Sequence, residues 1–358
     1  MALAARIGLI VLAAGLSSPA CLPEAAPPEQ DASRPAASLL AVGDTGSPHG
    51  ALPFFFDGQF AVGAALQRAH AASPVDALVL LGDNFYPDGL RADALAPRIL
   101  DNVARPYCSF VEPSGQLSKL LGDDCPAVRM PVPRLLVALG NHDLQTPGSA
   151  ELQQNEVPRF ILNWEVPTTR TPAVRELPGG LSLVFLDTEW PWGAEEVEAL
   201  AHALETARGP WRVIVGHRPP IAGHPQLSKM IERAAQRSGR IVHAYLAGHV
   251  HGLVAIRGAG TAPALTLIAG SGSEVDLQSA PEYRIEATGP DDVVAAKLGF
   301  VRLDVFADAG PAGDPARLRV TLVAARSSAA LAPLGTEELA RYAIALDGAV
   351  ERIDPSRD

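Results

Sequence analysis

At 358 residues, 47% of them hydrophobic and 19% charged, the chain is long enough to bury one large core or two small ones. Its formal net charge of −11 leaves no basic surplus, which excludes sequence-independent nucleic-acid binding through phosphate neutralisation. Any chemistry on phosphate must draw its positive charge from a local source such as metal ions.

The N-terminus, residues 1–21, reads as an export signal. Arg6 supplies a short positive region, Ile7 to Leu16 (IGLIVLAAGL) an apolar core too short to span a bilayer, and small residues follow in SSPAC. Cys21 stands where a lipoprotein cysteine would, although Ser18 replaces the usual aliphatic three positions earlier; cleavage after Ala20 fits as well. The chain is therefore expected in the periplasm, at the cell surface or outside the cell, touching a membrane only through a lipid on Cys21. Residues 22–37, rich in Pro and Ala without an apolar period, predict a flexible tether.

From residue 38 short aliphatic runs alternate with helix-like stretches. The runs are SLLAVGD (38–44), ALVLLGD (77–83), PRLLVALGNHD (133–143), LSLVFLDTE (181–189), WRVIVGH (211–217), IVHAYLAGHVH (241–251) and LTLIAGSGS (265–273), each closed by Gly or a polar residue. Between them, Gly58–Ala72 and Gly193–Ala207 carry apolar positions at i, i+3 and i+4, the helical period. The alternation predicts an α/β fold whose buried sheets are covered by helices. LGFVRLDVFA (298–307) and RLRVTLVAA (317–325) alternate with no helix between them. Strands within 298–348 are therefore expected to complete a second sheet of a single domain spanning 38–353. The Arg91–Arg134 insertion is expected to wall a pocket. Its Cys108 and Cys125 either pair in an oxidising compartment or remain buried free thiols.

Polar residues gather at the C-terminal ends of the runs, where α/β sheets place ligand sites. Asp44, then Asp83 with Tyr86, then Asn141 with His142 and Asp143, then His217, then His249 with His251 close five separate strands. Turn chemistry that explains one such ending does not explain five. Two carboxylates, a phenol, an amide oxygen and three imidazoles make seven candidate ligands, too many for one tetrahedral zinc and without the thiolates of a structural site. They suit two metals about 3.5–4 Å apart that share a carboxylate, with Asp83, central in the ligand order, as the bridge. Asp44, Asp83 and Tyr86 are hard anionic donors matched to Fe(III), whereas Asn141 with two imidazoles matches Zn(II), Fe(II) or Mn(II). A phenol of ordinary pKa, about 10, gives up its proton at working pH only to a strong cation.

In order and approximate spacing, GDTG, GDNFY, GNHD, VGH and GHVH resemble the calcineurin-like metallophosphoesterases, and most closely the short, tartrate-resistant form of the purple acid phosphatase branch. Most of that superfamily has a metal-binding His where this chain has Gly46. The purple branch lacks it and adds a Tyr three positions after the bridging Asp, as Tyr86 stands to Asp83. NWEVP (163–167) and VFLDTEW (184–190) extend a similarity that covers roughly residues 38–307. The resemblance implies a four-layer α/β sandwich, two mixed sheets flanked by helices. It implies two metal ions, Fe(III) on Asp44, Asp83, Tyr86 and His251 and a divalent Zn, Fe or Mn on Asp83, Asn141, His217 and His249, with a metal-bound hydroxide attacking phosphorus in line. His142 is then a substrate-facing group that binds phosphate or protonates the leaving oxygen, with Asp143 orienting it. His224 is a second acid, at a spacing that departs from the family's.

The expected substrate is a small phosphate monoester, hydrolysed best at acidic pH. The same clamp serves phosphodiesters and nucleotides. A non-catalytic surface binding protein is the third reading, which seven intact ligand positions disfavour. Plainer roles fall to the other histidines: His70 and His202 facing solvent on amphipathic helices, His243 packed within a strand, and His49 a minor candidate for substrate contact. Trp164, Trp190 and Trp192 either edge the pocket or fill the core.

Overall fold

The aliphatic runs become strands because both of their faces have a layer to bury against. The computed structural model describes residues 34–46, 58–125, 131–221, 223–258, 260–277, 285, 287–307, 315–326 and 335–353. The export signal, Cys21, most of the tether and His49 lie outside these. In β1 (Ala37–Val42), Leu39 and Ala41 pack into a cluster between two sheets, while Leu40 and Val42 pack outward against Val62 and Leu66 of helix α1 (Gly58–Ala72). Such two-sided burial is why these strands read as continuous apolar runs.

The first sheet has the order β15-β14-β13-β12-β1-β2-β3-β4. Its members are β1, β2 (Ala77–Leu81), β3 (Arg134–Ala138), β4 (Trp164–Glu165), β12 (Gly299–Phe306), β13 (Arg317–Ala325), β14 (Thr336–Ala345) and β15 (Val350–Ile353). The second has the order β11-β9-β10-β8-β7-β6-β5. It comprises β5 (Ala173–Leu177), β6 (Leu181–Phe185), β7 (Trp211–Val215), β8 (Ala244–Ala247), β9 (Leu253–Arg257), β10 (Leu265–Ala269) and β11 (Val293–Ala295). Helices α2 (Ala194–Thr206) and α3 (Pro225–Ser238) cover the outer face of this sheet, through Leu200, Leu204, Leu227 and Met230 against Val184 and Ile214. The result is the four-layer sandwich of two mixed sheets between helices.

One sheet assignment differs from expectation. The C-terminal strands do not complete the second sheet; they extend the first, with β12 antiparallel to β1 from Ala37↔Val305 to Ala41↔Val301. β1 uses only one edge for its parallel partner β2, so its other edge supplies the unpaired N–H and C=O groups on which β12 forms. Cys108 and Cys125 form a disulfide, with 5.6 Å between their Cα atoms. Among the described residues no helix is long and apolar enough to cross a membrane.

Two histidines away from the cluster are buried, His70 on α1 and His243 just before β8 rather than within it. His70 does not face solvent: it is 1% exposed, and its Nδ1 accepts from the Val75 N–H at 3.1 Å. His202 is exposed. His243 sits in the core with Nδ1 accepting from Arg212 N–H at 3.1 Å and Nε2 facing the Leu346 carbonyl at 3.2 Å. Burial pushes both imidazoles below their ordinary range, against hydrogen bonds from the backbone. The unfolded chain therefore takes up protons below about pH 6.5 that the folded chain resists, and stability falls as pH falls through that point. Unfolding free energies from urea titrations should drop between pH 7 and pH 5, by at most about 1.4 kcal/mol per pH unit for each histidine. His243→Asn, which keeps an acceptor for Arg212, should flatten that slope; an unchanged slope would clear His243 of a part in it.

Candidate metal centre

The C-terminal ends of both sheets meet at one place. The first sheet delivers Asp44 after β1, Asp83 and Tyr86 after β2, and Asn141 after β3; the second delivers His217 after β7 and His249 and His251 after β8. Asp44, Asp83 and His249 have φ of 56°, 54° and 68°, left-handed values that non-glycine residues hold only when their surroundings enforce them. Donor atoms of Asp44, Asp83 and His217 all lie within 4.8 Å of one another, and all three residues are buried.

Two overlapping groups result. The Tyr86 hydroxyl is 3.0 Å from Asp44 Oδ1, 2.9 Å from Asp83 Oδ2 and 3.2 Å from His251 Nε2, which is itself 3.3 Å from Asp44 Oδ1. On the other side His217 Nε2 is 3.2 Å from Asn141 Oδ1 and 3.4 Å from Asp83 Oδ2. Asp83 belongs to both groups. The His249 ring lies 5.1 Å from that of His217, and its backbone N–H donates to Asp44 Oδ2 at 2.7 Å.

Close packing explains why Gly precedes the ligand in so many of these motifs. A Cβ on Gly140 would stand 2.2 Å from Asp83 Oδ1, and one on Gly248 would stand 2.5 Å from Asp44 Oδ2. Gly46 is packed against backbone instead: its Cβ would meet the carbonyl carbon and oxygen of Asn84 at 2.3 Å. The loop carrying Tyr86 lies directly on Gly46, with Tyr86 N–H donating to the Gly46 carbonyl at 2.9 Å and Gly46 N–H to the Asp83 carbonyl at 3.1 Å. The 91–134 insertion braces this loop from behind, Asn102 Nδ2 reaching the Gly46 carbonyl at 2.8 Å and Arg98 the Tyr86 carbonyl.

The electrostatics call for a cation. Burial alone would raise Asp83, yet the charge and hydrogen bond of His217 hold its carboxyl well below the usual range. Burial would lower His217, but Asp83 and then Asp44 carry it up to about 10. Burial, then the charges of Asp44 and Asp83, push the Tyr86 phenol far up. Two buried carboxylates around one phenol oxygen thus require positive charge, supplied by a proton on His217 or by metal. The donors are oxygen and imidazole without thiolate, a set that suits hard to borderline metal ions. The residues fit a pair of metals.

A cavity of about 240 Å³ opens on the cluster, lined by Asp83, Tyr86, Asn141, His142, His249 and His251, with Val250, Glu274 and Asp276 completing the wall. Among the described residues none of its lining comes from the 91–134 insertion, whose Asn102 and Arg98 brace the loops behind the pocket. His142 stands at the mouth, its ring 4.4 Å from the Tyr86 ring and its Nε2 4.0 Å from Asp83 Oδ2. Asp143 does not orient it. His142 Nδ1 is held by the Pro87 carbonyl at 2.5 Å, with Gln145 beside it, while Asp143 points the other way into the core. There it accepts from five N–H donors: the backbone of Asn84, Phe85 and Gly140 and the side chains of Asn84 and Gln153. Burial, then the charge of Asp83, raise its carboxyl to about 6 against those donors.

His224 directly precedes α3, with its ring 5.7 Å from His249 and 6.2 Å from Trp192; burial lowers its pKa. Trp164 is core, donating Nε1–H to the Gln153 carbonyl at 2.9 Å, whereas Trp190 is exposed beneath the Arg170 guanidinium. Sequence reasoning passed over Arg218 and Glu189. Arg218 directly follows His217, pairs with the Glu189 carboxylate at 2.8 Å and donates from Nη1 to His249 Nε2 at 3.0 Å. A charged residue adjoining a buried strand-end ligand was the available signal.

The model for calcineurin-like phosphoesterases matches residues 37–253, more than half of the chain. The protein belongs to that family of metal-dependent phosphoesterases. Similar solved structures include GAP50, the anchor in the inner membrane complex of Plasmodium, at 16% identity and TM-score 0.57 over 85% of this chain and 88% of that one. PhoD aligns at 12% identity and TM-score 0.55 over 89% and 72%. Purple acid phosphatase PPD1 from yellow lupin seeds aligns at 17% identity and TM-score 0.53, over 80% of this chain and 51% of that one, so the chain spans about half its length. At these identities the likeness is one of fold. No curated protein matches the chain.

Proposed function

We propose that the protein is a phosphate monoesterase of the purple acid phosphatase type. Fe(III) would be held by Asp44, Asp83, Tyr86 and His251, and Zn(II), Fe(II) or Mn(II) by Asp83, Asn141, His217 and His249. One observation carries the reading: the Tyr86 hydroxyl lies within 3.0 Å of both Asp44 and Asp83, on a loop seated against Gly46. Bound there, the metals would neutralise phosphate oxygens and activate water for in-line attack. Asp83 spans both positions, and Asn141 adds an oxygen without charge. His142, fixed through Nδ1 by the Pro87 carbonyl, turns Nε2 toward the cavity and in its protonated form can hand a proton to the leaving oxygen. His224, beside His249, supplies a second acid for the same step. The substrate is a small phosphoester, the pH optimum acidic and nucleic acid no partner. The chain acts after export, tethered through Cys21 if that residue is lipidated.

The soluble region from about residue 37, supplied with iron plus zinc or with manganese, should hydrolyse a chromogenic phosphomonoester; no turnover with either would sink the reading. With iron bound, a phenolate-to-Fe(III) band should colour the protein. Tyr86→Phe should remove that band while circular dichroism stays native, and a colourless, fully active iron-free native enzyme would refute the Fe(III) assignment.

A further inference from the structure

We propose that Arg218 is a substrate-binding residue of this centre, held on His249 by one hydrogen bond that it exchanges for a phosphoryl oxygen when His249 takes its metal. The assignment rests on the reading of the centre as a two-metal phosphoesterase. The guanidinium is fixed in place: Nε lies 3.0 and 2.9 Å from the two Glu189 oxygens and Nη2 2.8 Å from one of them. The backbone is fixed as well, the Arg218 N–H donating to Thr188 Oγ1 at 3.0 Å and its carbonyl accepting from the Tyr245 hydroxyl at 2.8 Å. Nη1 is the part of the fork not engaged by Glu189, and it points at His249 Nε2 from 3.0 Å.

A guanidinium carries donors and no acceptor, so Nε2 is the accepting lone pair and the ring proton sits on Nδ1. A neutral imidazole on a metal keeps its one proton on the nitrogen that does not bind. If Nε2 takes the metal, its lone pair is lost to Nη1. If Nδ1 takes it, that nitrogen releases its proton to water and Nε2 takes one up, becoming a donor that faces another donor. Either way the Arg218–His249 bond ends, while Glu189 keeps the guanidinium where it is. Nη1 is then left with N–H groups beside a cavity that His249 lines. Among the described residues that cavity has no Lys or Arg in its lining, so Arg218 is the protein-borne cation beside it for a phosphoryl dianion.

The test measures two affinities. In the metal-loaded protein, inorganic phosphate should bind Arg218→Met roughly 10- to 100-fold more weakly than wild type, with Arg218→Lys in between. In the metal-stripped protein, calorimetric Zn²⁺ binding to Arg218→Met should be as tight as in wild type or tighter, because a competing donor and a positive charge are gone. Phosphate affinity equal to wild type, or a loss of Zn²⁺ affinity, would overturn the assignment and make Arg218 a brace for His249. Should Arg218→Met fail to fold, Arg218→Gln, which also removes the cation, reads the same pair of affinities with the same signs. Hydrolysis of p-nitrophenyl phosphate by wild type, measured alongside, separates the two readings. No turnover there sinks the phosphoesterase, whereas turnover with unaltered phosphate affinity in the variant sinks only the role of Arg218.

Discussion

Asp83→Ala should lower kcat/KM for a chromogenic phosphomonoester by roughly 10³-fold or more, the equivalent of about 4 kcal/mol of transition-state stabilisation. The Asp83 carboxylate belongs to both ligand groups at the centre. Its Oδ2 lies 2.9 Å from the Tyr86 hydroxyl and 3.4 Å from His217, and its Oδ1 takes the His142 backbone N–H at 2.9 Å. Removing the carboxylate takes one oxygen from each ligand group, so metal content per chain should fall together with rate. Stability should fall as well. Asp83 pushes Asp143 up, so its loss relieves that repulsion, but it also breaks the buried pair with His217 and orphans the His142 N–H. The metal-stripped variant should therefore melt below the metal-stripped wild type. Full activity with full metal content in Asp83→Ala would refute the bridging role.

Asp143→Ala should act chiefly on stability. The side chain is fully buried, and five N–H donors converge on its carboxylate. Those donors come from the loop after β2, the loop after β3 and Gln153, so the carboxylate ties together the two segments that carry Asp83 and Asn141. Each donor left buried without a partner costs about 1–3 kcal/mol, partly recovered by relaxation. A loss of at least about 4 kcal/mol in unfolding free energy is expected, read from denaturant midpoints. If Asp143 merely oriented His142, Asp143→Ala would lose rate and keep its stability. That outcome would refute the bracket described above.

The strands and their order of appearance were legible because each is buried on both faces, which writes a continuous apolar run into the sequence. The sheet joined by β12 was not, because alternation reveals which face of a strand is buried and says nothing of which edge it finds. The gathering of these side chains at one place was legible for a related reason: carboxylates and imidazoles that close one buried strand after another have no cause in turn chemistry alone. Residues one step away were not. His142 and Asp143 are neighbours in sequence, yet one faces the cavity and the other the core, and only the local backbone path decides which. Arg218 and Glu189 were passed over because a charge in a loop is ordinarily solvated; adjacency to His217 marked Arg218, but nothing in the sequence announces that two such loops meet over His249. His70 failed on similar grounds: the period of α1 defines a stripe, but not how far the insertion's Phe110 closes over it.

The seating of the Tyr86 loop on Gly46 bears on how such a centre can change its ligands. A side chain at 46 and the present course of the Asn84–Phe85 backbone compete for the same volume, at 2.3 Å. A metal-binding His at 46 and a phenol at 86 are therefore rival solutions rather than independent options. Passing from one to the other needs both positions to change and the loop to be rebuilt between them. A single-step intermediate would have either a clashing loop or a ligand short.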